Sequence, residues 1–106
     1  NSYLSAEEQT AATVIHRALV KAKESFKAGE RHANKLADQV KTTIESEPRV
    51  RLDYVGIVDA ETLERLDKLD DRPILIAIAA FVGKIRLIDN IMLNGSKKKE
   101  ISSASV

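Results

Sequence analysis

The sequence predicts an α+β fold in which two amino-terminal helices precede a small three-stranded antiparallel sheet. Up to about residue 45, apolar residues recur with the spacing of three and four that marks amphipathic helices. From residue 50 onward, apolar residues instead alternate with polar ones or form a continuous run, as they do in strands. Helices that come first along a chain and strands that follow are typical of α+β domains.

The first helix is predicted to begin near Ala6. Ser5 is followed three residues later by Glu8, a capping-box pattern in which both side chains accept hydrogen bonds from free amides at a helix start. The predicted buried stripe consists of Ala11, Val14, Ile15, Ala18, Leu19, Ala22 and Phe26. Gly29 supplies the left-handed residue that ends the helix.

A shorter second helix is predicted from about Arg31 to Glu45. Its apolar stripe consists of Leu36, Ala37, Val40 and Ile44. Pro48 closes this segment, because proline cannot continue a helix.

The first strand is predicted to begin at Val50. Val50, Leu52 and Tyr54 alternate with charged residues, as expected for a strand with one buried face. Gly56 is interpreted as the position of a β-bulge, because an isolated glycine within a strand often marks one.

The other two strands are predicted to form a hairpin. Residues 74–82 are an unbroken apolar run whose nine residues suit a strand better than a helix. Gly83 and Lys84 form a tight turn into the third strand, residues 85–93.

The apolar run of the second strand has a consequence for packing. It is apolar on both faces, yet two helices cover only one face of a three-stranded sheet. Three covers remain open for the other face: another domain of the same chain, a second copy, or the loop of residues 59–72 folding back.

Composition narrows the class of protein. The chain has 106 residues, the size of one domain, and it has no cysteine, which excludes disulfides and zinc-thiolate sites. No apolar run reaches the ~20 residues of a membrane helix, and the first residues lack the layout of a signal peptide. We therefore expect a soluble cytoplasmic protein without a membrane partner.

Residues 94–106 are polar and low in complexity, so we predict a tail or linker after a folded part that ends at residue 93. The tail contributes +2 to a formal net charge of +1, which leaves −1 for residues 1–93. A folded part with this charge is not predicted to bind nucleic acid. Asparagine is not a natural first residue, so we expect the chain to be a piece of a longer protein.

The most informative polar residues are Arg86, Asp89 and Asn90 on the third strand. Arg86 and Asn90 share one face, while Asp89 points to the other. Polar residues in an otherwise apolar strand are either edge residues in water or partners at an interface. No nucleophile-base pair, carboxylate pair or metal-ligand spacing stands out. The residues by themselves therefore predict a non-catalytic domain that expects a partner.

Three stretches carry a family resemblance. They are Asn-Ser-Tyr-Leu-Ser-Ala-Glu-Glu at 1–8, Arg-Leu-Asp-Tyr-Val-Gly-Ile-Val-Asp-Ala-Glu-Thr-Leu at 51–63, and Ala-Phe-Val-Gly-Lys-Ile-Arg-Leu-Ile-Asp-Asn at 80–90. In this order and spacing, they resemble the carboxyl-terminal domain of the pantothenate synthetase (pantoate-β-alanine ligase) family. The resemblance spans residues 1 to about 93.

This resemblance implies an activity for a larger protein. The family joins pantoate to β-alanine with ATP and Mg²⁺ through a pantoyl-adenylate, and it releases AMP and pyrophosphate. The implied partner is an amino-terminal nucleotidyltransferase domain with a paired-histidine signature. Residues 1–93 would form the lid over its site, and the full enzyme is expected to be a homodimer.

The resemblance also implies roles for individual residues. Asn1 would be the last residue of a Met-Ser-Ser-Arg-Asn motif that contacts the ATP phosphates. Because the rest of that motif and both histidines are absent, the chain alone is expected to be inactive. Arg86, Asp89 and Asn90 are expected to seat the lid against the catalytic half, and the competing interpretation is that they only pin the hairpin. Gly56 and Ile85 depart from the family pattern, which puts ligand contacts at those two positions in doubt.

An alternative of a different class remains open. The chain would then be a free-standing interaction module that homodimerises through the second face of its sheet, without catalysis.

Overall fold

The computed structural model describes residues 5–94, and Asn1 and the tail after residue 94 lie outside this range. Two helices are followed by three strands. The elements are α1 (Ala6–Lys27), α2 (Ala33–Glu45), β1 (Val50–Asp59), β2 (Ile74–Val82) and β3 (Ile85–Leu93). The predicted α+β class, with two helices before a three-stranded antiparallel sheet, is confirmed.

The capping box of α1 is present. The Ser5 hydroxyl accepts from the Glu8 N–H at 3.1 Å, and the Glu8 carboxylate accepts from the Ser5 N–H at 2.7 Å. The buried residues of α1 are those of the predicted stripe. Gly29, just beyond the helix, has a φ of 120°, a conformation that only glycine adopts without strain.

The second helix begins two residues later than predicted. His32 is its N-cap, with extended backbone, and Arg31 lies outside the helix. The Glu30 carboxylate accepts from the N–H groups of both residues, at 3.1 Å for Arg31 and 3.0 Å for His32. The Ala33 N–H donates to the Asp67 carbonyl at 2.9 Å. These contacts keep residues 31 and 32 outside the helix.

The strands run antiparallel in the order β1-β2-β3, so β3 lies at one edge of the sheet. The β2–β3 hairpin closes through Gly83 and Lys84, with Val82 opposite Ile85. Gly83 has a φ of 62°, as the first position of a type II′ turn requires.

The bulge in β1 lies at Asp53, so the prediction of a bulge at Gly56 was wrong. Leu52 pairs with Ala80 and Tyr54 pairs with Ala79, which leaves Asp53 as the extra residue. The apolar residues explain this position, because helix-facing positions stop at Leu52 and resume at Val55. A spacing of three within a strand requires one unpaired residue.

Both helices pack on the same face of the sheet. α1 contacts β2 and β3, and α2 contacts β1. Ile74, Ile76 and Ile78 of β2 are fully buried under them, and burial of apolar surface contributes about 25 cal/mol per Å². Within residues 5–94, no helix is long and apolar enough to cross a membrane.

Candidate docking face of the sheet

The face of the sheet that the helices leave uncovered is called the outer face. The strand register places twelve residues there: Arg51, Tyr54, Gly56, Val58, Leu75, Ala77, Ala79, Phe81, Arg86, Ile88, Asn90 and Met92. Ile88 is 64% exposed and Tyr54 is 42% exposed. Large apolar side chains therefore meet solvent on a face whose central strand is apolar throughout.

The loop of residues 59–72 was one of the three covers left open for this face. The structure places it along the free edge of β1, where the Leu66 N–H donates to the Ile57 carbonyl at 3.0 Å. Leu69 is buried in the core on the helix side. The loop reaches the outer face at Arg65, whose guanidinium lies 5.8 Å from the centroid of the Tyr54 ring. It leaves Ile88 uncovered.

Tyr54 lies across Gly56 on the outer face. A Cβ atom added at Gly56 would lie 2.7 Å from Cζ of Tyr54, closer than two such atoms can approach. The Tyr54 ring can therefore occupy this position on the sheet because Gly56 has no side chain.

A row of cationic and aromatic side chains crosses the three strands. Arg51, Phe81 and Arg86 are directly opposite one another in the register. The Arg51 guanidinium lies 5.0 Å from the centroid of the Phe81 ring. Arg86 donates from Nε to the carboxylate of Asp53 at 3.0 Å. The bulge thus brings an acidic group to the outer face, where it holds Arg86 across β2.

The structure divides the three predicted interface residues between two faces. Arg86 and Asn90 lie on the outer face, as the strand period predicts. Asp89 lies on the helix-packed face, opposite the buried Ile78, and is itself half-buried. Its carboxylate accepts from the Asn90 N–H at 2.8 Å. Arg86 and Asn90 therefore share a surface, and Asp89 holds the backbone beside it.

Sequence reasoning missed three residues that shape the outer face: Asp53, Tyr54 and Ile88. The spacing of three between Leu52 and Val55 carried the signal for Asp53 and Tyr54, because it shifts both to the outer side.

Two acidic residues of the 59–72 loop, Asp59 and Asp70, are held by hydrogen bonds. The Asp59 carboxylate accepts from the N–H groups of Thr62 at 3.0 Å and Glu61 at 2.8 Å, and from Arg72 at 3.2 Å. These bonds, the two backbone bonds most of all, lower the pKa of Asp59. Arg72 likewise donates to Asp70 and lowers its pKa. These acidic groups therefore stabilise the loop.

The described residues carry no metal-binding cluster. Within residues 5–94, no three His, Cys, Asp or Glu side chains come close enough to hold a metal ion. His16 is exposed on α1, and His32 contacts Glu30 at 3.2 Å. Grooves of about 490 and 510 Å³ flank the start of α1, and neither is lined by a histidine.

Comparison with known proteins decides the family. The model of the family described as pantoate-beta-alanine ligase matches residues 1–92. The chain belongs to this family. The family resemblance seen in the sequence is thereby confirmed.

Curated relatives from the ligase family match the chain over only part of their own length. It is 45% identical over 94 residues to the pantothenate synthetase of Fervidobacterium nodosum, covering 89% of this chain and 33% of that protein. With the Rubrobacter xylanophilus pantothenate synthetase, identity is 47% over 93 residues, covering 88% and 32%. With the bifunctional pantoate ligase/cytidylate kinase of Synechocystis, identity is 40% over 96 residues, covering 89% and 19%. The chain spans about a third of the length of the pantothenate synthetases that it matches.

A solved structure from the ligase family agrees with the fold. The crystal structure of pantothenate synthetase from Thermus thermophilus superposes with a TM-score of 0.73 at 31% sequence identity. The similarity covers 84% of this chain and 32% of that chain.

Proposed function

We propose that residues 1–93 are the lid domain of a pantoate-β-alanine ligase and that residues 94–106 are a polar tail or linker. The whole enzyme would condense pantoate with β-alanine, using ATP through a pantoyl-adenylate, to give pantothenate, AMP and pyrophosphate. Family membership and the matched third of the relatives' length support this proposal.

The uncovered outer face is the observation that carries the lid proposal. Its exposed side chains include Tyr54, Ile88 and two arginines, with Asn90 and Asp53 as the other polar groups, and it has no lysine or glutamate. Protein interfaces are enriched in aromatic residues, Met and Arg and depleted of Lys and Glu. A contiguous apolar patch of this kind marks an interaction surface. We propose that the catalytic domain is its occupant.

The three residues on β3 then have separate parts. Arg86 and Asn90 contact the catalytic domain from the outer face. Asp89 acts as a positioning residue, because its carboxylate fixes the backbone of Asn90 at 2.8 Å. Asp53 holds the Arg86 guanidinium from the other side of β2.

A closing lid acts on the chemistry by exclusion of water. An acyl-adenylate is open to hydrolysis, and a domain that closes over it keeps water out and holds the reactants in place. Because residues 5–94 have no metal-binding cluster, we propose that ATP and Mg²⁺ are bound by the amino-terminal domain, with Asn1 as this chain's contact to ATP. The chain alone would be inactive, and the complete enzyme would be a cytoplasmic homodimer.

The test is a joined enzyme. The amino-terminal part of the Fervidobacterium nodosum relative, ending at the residue that aligns before Asn1, is fused to this chain. Pantothenate formation is then assayed with pantoate, β-alanine and MgATP. The joined enzyme is expected to turn over, whereas each part alone is not. Absence of turnover in a joined enzyme with native circular dichroism would contradict the proposal.

A second candidate function uses the same surface. The exposure of Ile88 and Tyr54 also suits a module that homodimerises through its outer face without catalysis. Light scattering of the chain separates the two functions. A tight dimer that loses association on Ile88→Lys, together with an inactive joined enzyme, would favour the module.

A further inference from the structure

β3 is an open edge of the sheet. The edge of β1 that faces away from β2 is covered, because Val58 forms a bridge with Arg65 of the following loop. Within residues 5–94, β3 pairs with β2 and with no other segment. It is nine residues long and has neither proline nor lysine. Such an edge is a template for another strand, and proteins normally protect it.

The hairpin sets which backbone groups face outward. Residues that flank a two-residue turn form a hydrogen-bonded pair, so Ile85 points its N–H and C=O toward Val82. Alternation along the strand then directs the backbone groups of Ile88 and Asn90 away from β2. The bond from the Asn90 N–H to the Asp89 carboxylate fits this direction, because it occupies an outward amide.

The position of Asp89 bears on self-association. It is the central residue of Ile85–Leu93. Two copies of β3 that pair antiparallel in full register about a two-fold axis bring Asp89 opposite its own copy. The Cα atoms of such a pair lie about 4.5 Å apart, and like charges directly opposite are destabilising. The same pairing requires the Asn90 N–H to donate to Ile88 of the other copy, and the Asp89 carboxylate already occupies that N–H.

We propose that Asp89 guards the β3 edge against pairing with β3 of a second copy, by like-charge repulsion and by occupation of the Asn90 amide. The potential occupant of this edge is a second copy of the chain. Without Asp89, two three-stranded sheets join into one continuous sheet through their β3 strands.

Sedimentation velocity over a range of concentrations tests whether the charge of Asp89 opposes self-association of the chain. Asp89→Val is expected to raise the self-association constant at least about tenfold over wild type. Asp71→Val, in an exposed loop, removes the same charge and is expected to leave the constant unchanged. Asp89→Lys restores a like charge, so by itself it is expected to associate no more than wild type.

The most specific test of charge repulsion is a mixture of two proteins. Wild type mixed with Asp89→Lys places opposite charges at the centre of the strand pair, so the mixture is expected to associate more strongly than either protein alone. Equal association in wild type, Asp89→Val and the mixture, with native circular dichroism in each, would overturn the proposal.

Hydrogen exchange of the wild-type chain tests the same contact without any substitution. The Asn90 amide is expected to exchange at least about tenfold more slowly than the outward Ile88 amide, because it is hydrogen-bonded to Asp89. Equal exchange rates at the two amides would show that Asp89 does not hold the Asn90 N–H, and this result would overturn the proposal.

Discussion

At the residue scale, Gly56 and Tyr54 act as a pair. The phenol ring occupies the space that a side chain at Gly56 would need, and the Arg65 guanidinium lies 5.8 Å from the centroid of the same ring. The backbone of Gly56 is not in the left-handed region. Contact with the ring, and not backbone strain, therefore opposes a larger residue at this position.

This contact predicts that the effect of Gly56→Ala depends on Tyr54. With Tyr54 present, the new Cβ displaces the ring, and the lost contacts offset the lower entropy of the unfolded chain. In a Tyr54→Ala background, Gly56→Ala is expected to stabilise the fold by about 0.4–1 kcal/mol. Urea unfolding of the four proteins in this double-mutant cycle measures the coupling, expected to be at least about 0.5 kcal/mol. Equal effects of Gly56→Ala in both backgrounds would contradict the account.

At the element scale, α1 depends on its capping box. The Ser5 and Glu8 side chains satisfy two amides that the helix leaves without partners. This feature was predictable because it is local, with both groups within four residues of each other.

Ser5→Ala is expected to lower the free energy of unfolding by about 1 kcal/mol, because it removes an N-cap. Thr13→Ala is the matched control. The Thr13 hydroxyl donates to the Gln9 carbonyl of its own helix, a contact that adds little to helix stability. Thermal unfolding followed by circular dichroism compares the two variants. A loss in Thr13→Ala as large as that in Ser5→Ala would argue against the cap.

The loop between β1 and β2 predicts a pH dependence. The pKa of Asp59 is lowered in the fold by the N–H groups of Thr62 and Glu61 and by Arg72. Its contribution to stability is therefore complete above the ordinary aspartate pKa of about 3.9 and is lost as the pH falls through the lower folded-state pKa.

Asp59→Asn is expected to flatten the acid side of the stability curve. The free energy of unfolding of the variant should fall less than that of wild type between about pH 5 and pH 2, since the titrating carboxylate is gone. Urea unfolding at a series of pH values measures this difference. Asp71→Asn controls for the loss of one acid from the same loop, and an equal flattening there would contradict the assignment to Asp59.

At the scale of the whole molecule, the order of elements followed from the sequence because apolar periodicity is strong in both helices and because residues 74–82 form an apolar run of strand length. The bulge at Asp53 was missed, although the spacing of three between Leu52 and Val55 carried its signal. The start of α2 after His32 could not be predicted in this way, because it depends on a contact between distant residues, Ala33 and Asp67. The alternation of side chains along β3 correctly predicted that Asp89 lies on the face opposite to Arg86 and Asn90. The hydrogen bond from the Asn90 N–H to the Asp89 carboxylate could be seen only in the structure.

The outer face of the sheet was predictable from the sequence only in part. Its apolar character was predictable from the β2 run, and its exposure became clear when the 59–72 loop was found along the β1 edge. An uncovered face of this composition fits a domain that closes on a larger partner.

The most direct test of this account is turnover by the joined enzyme carrying a charge on the outer face. Ile88 and Leu63 are matched in exposure, at 64% and 65%, but Leu63 lies in the loop beyond β1. Ile88→Lys is expected to lower kcat/KM for pantothenate formation at least about tenfold, whereas Leu63→Lys is expected to stay within about twofold of the unmodified joined enzyme. Equal kcat/KM values for the two variants, with both proteins folded, would contradict the outer face as the surface that closes on the catalytic domain.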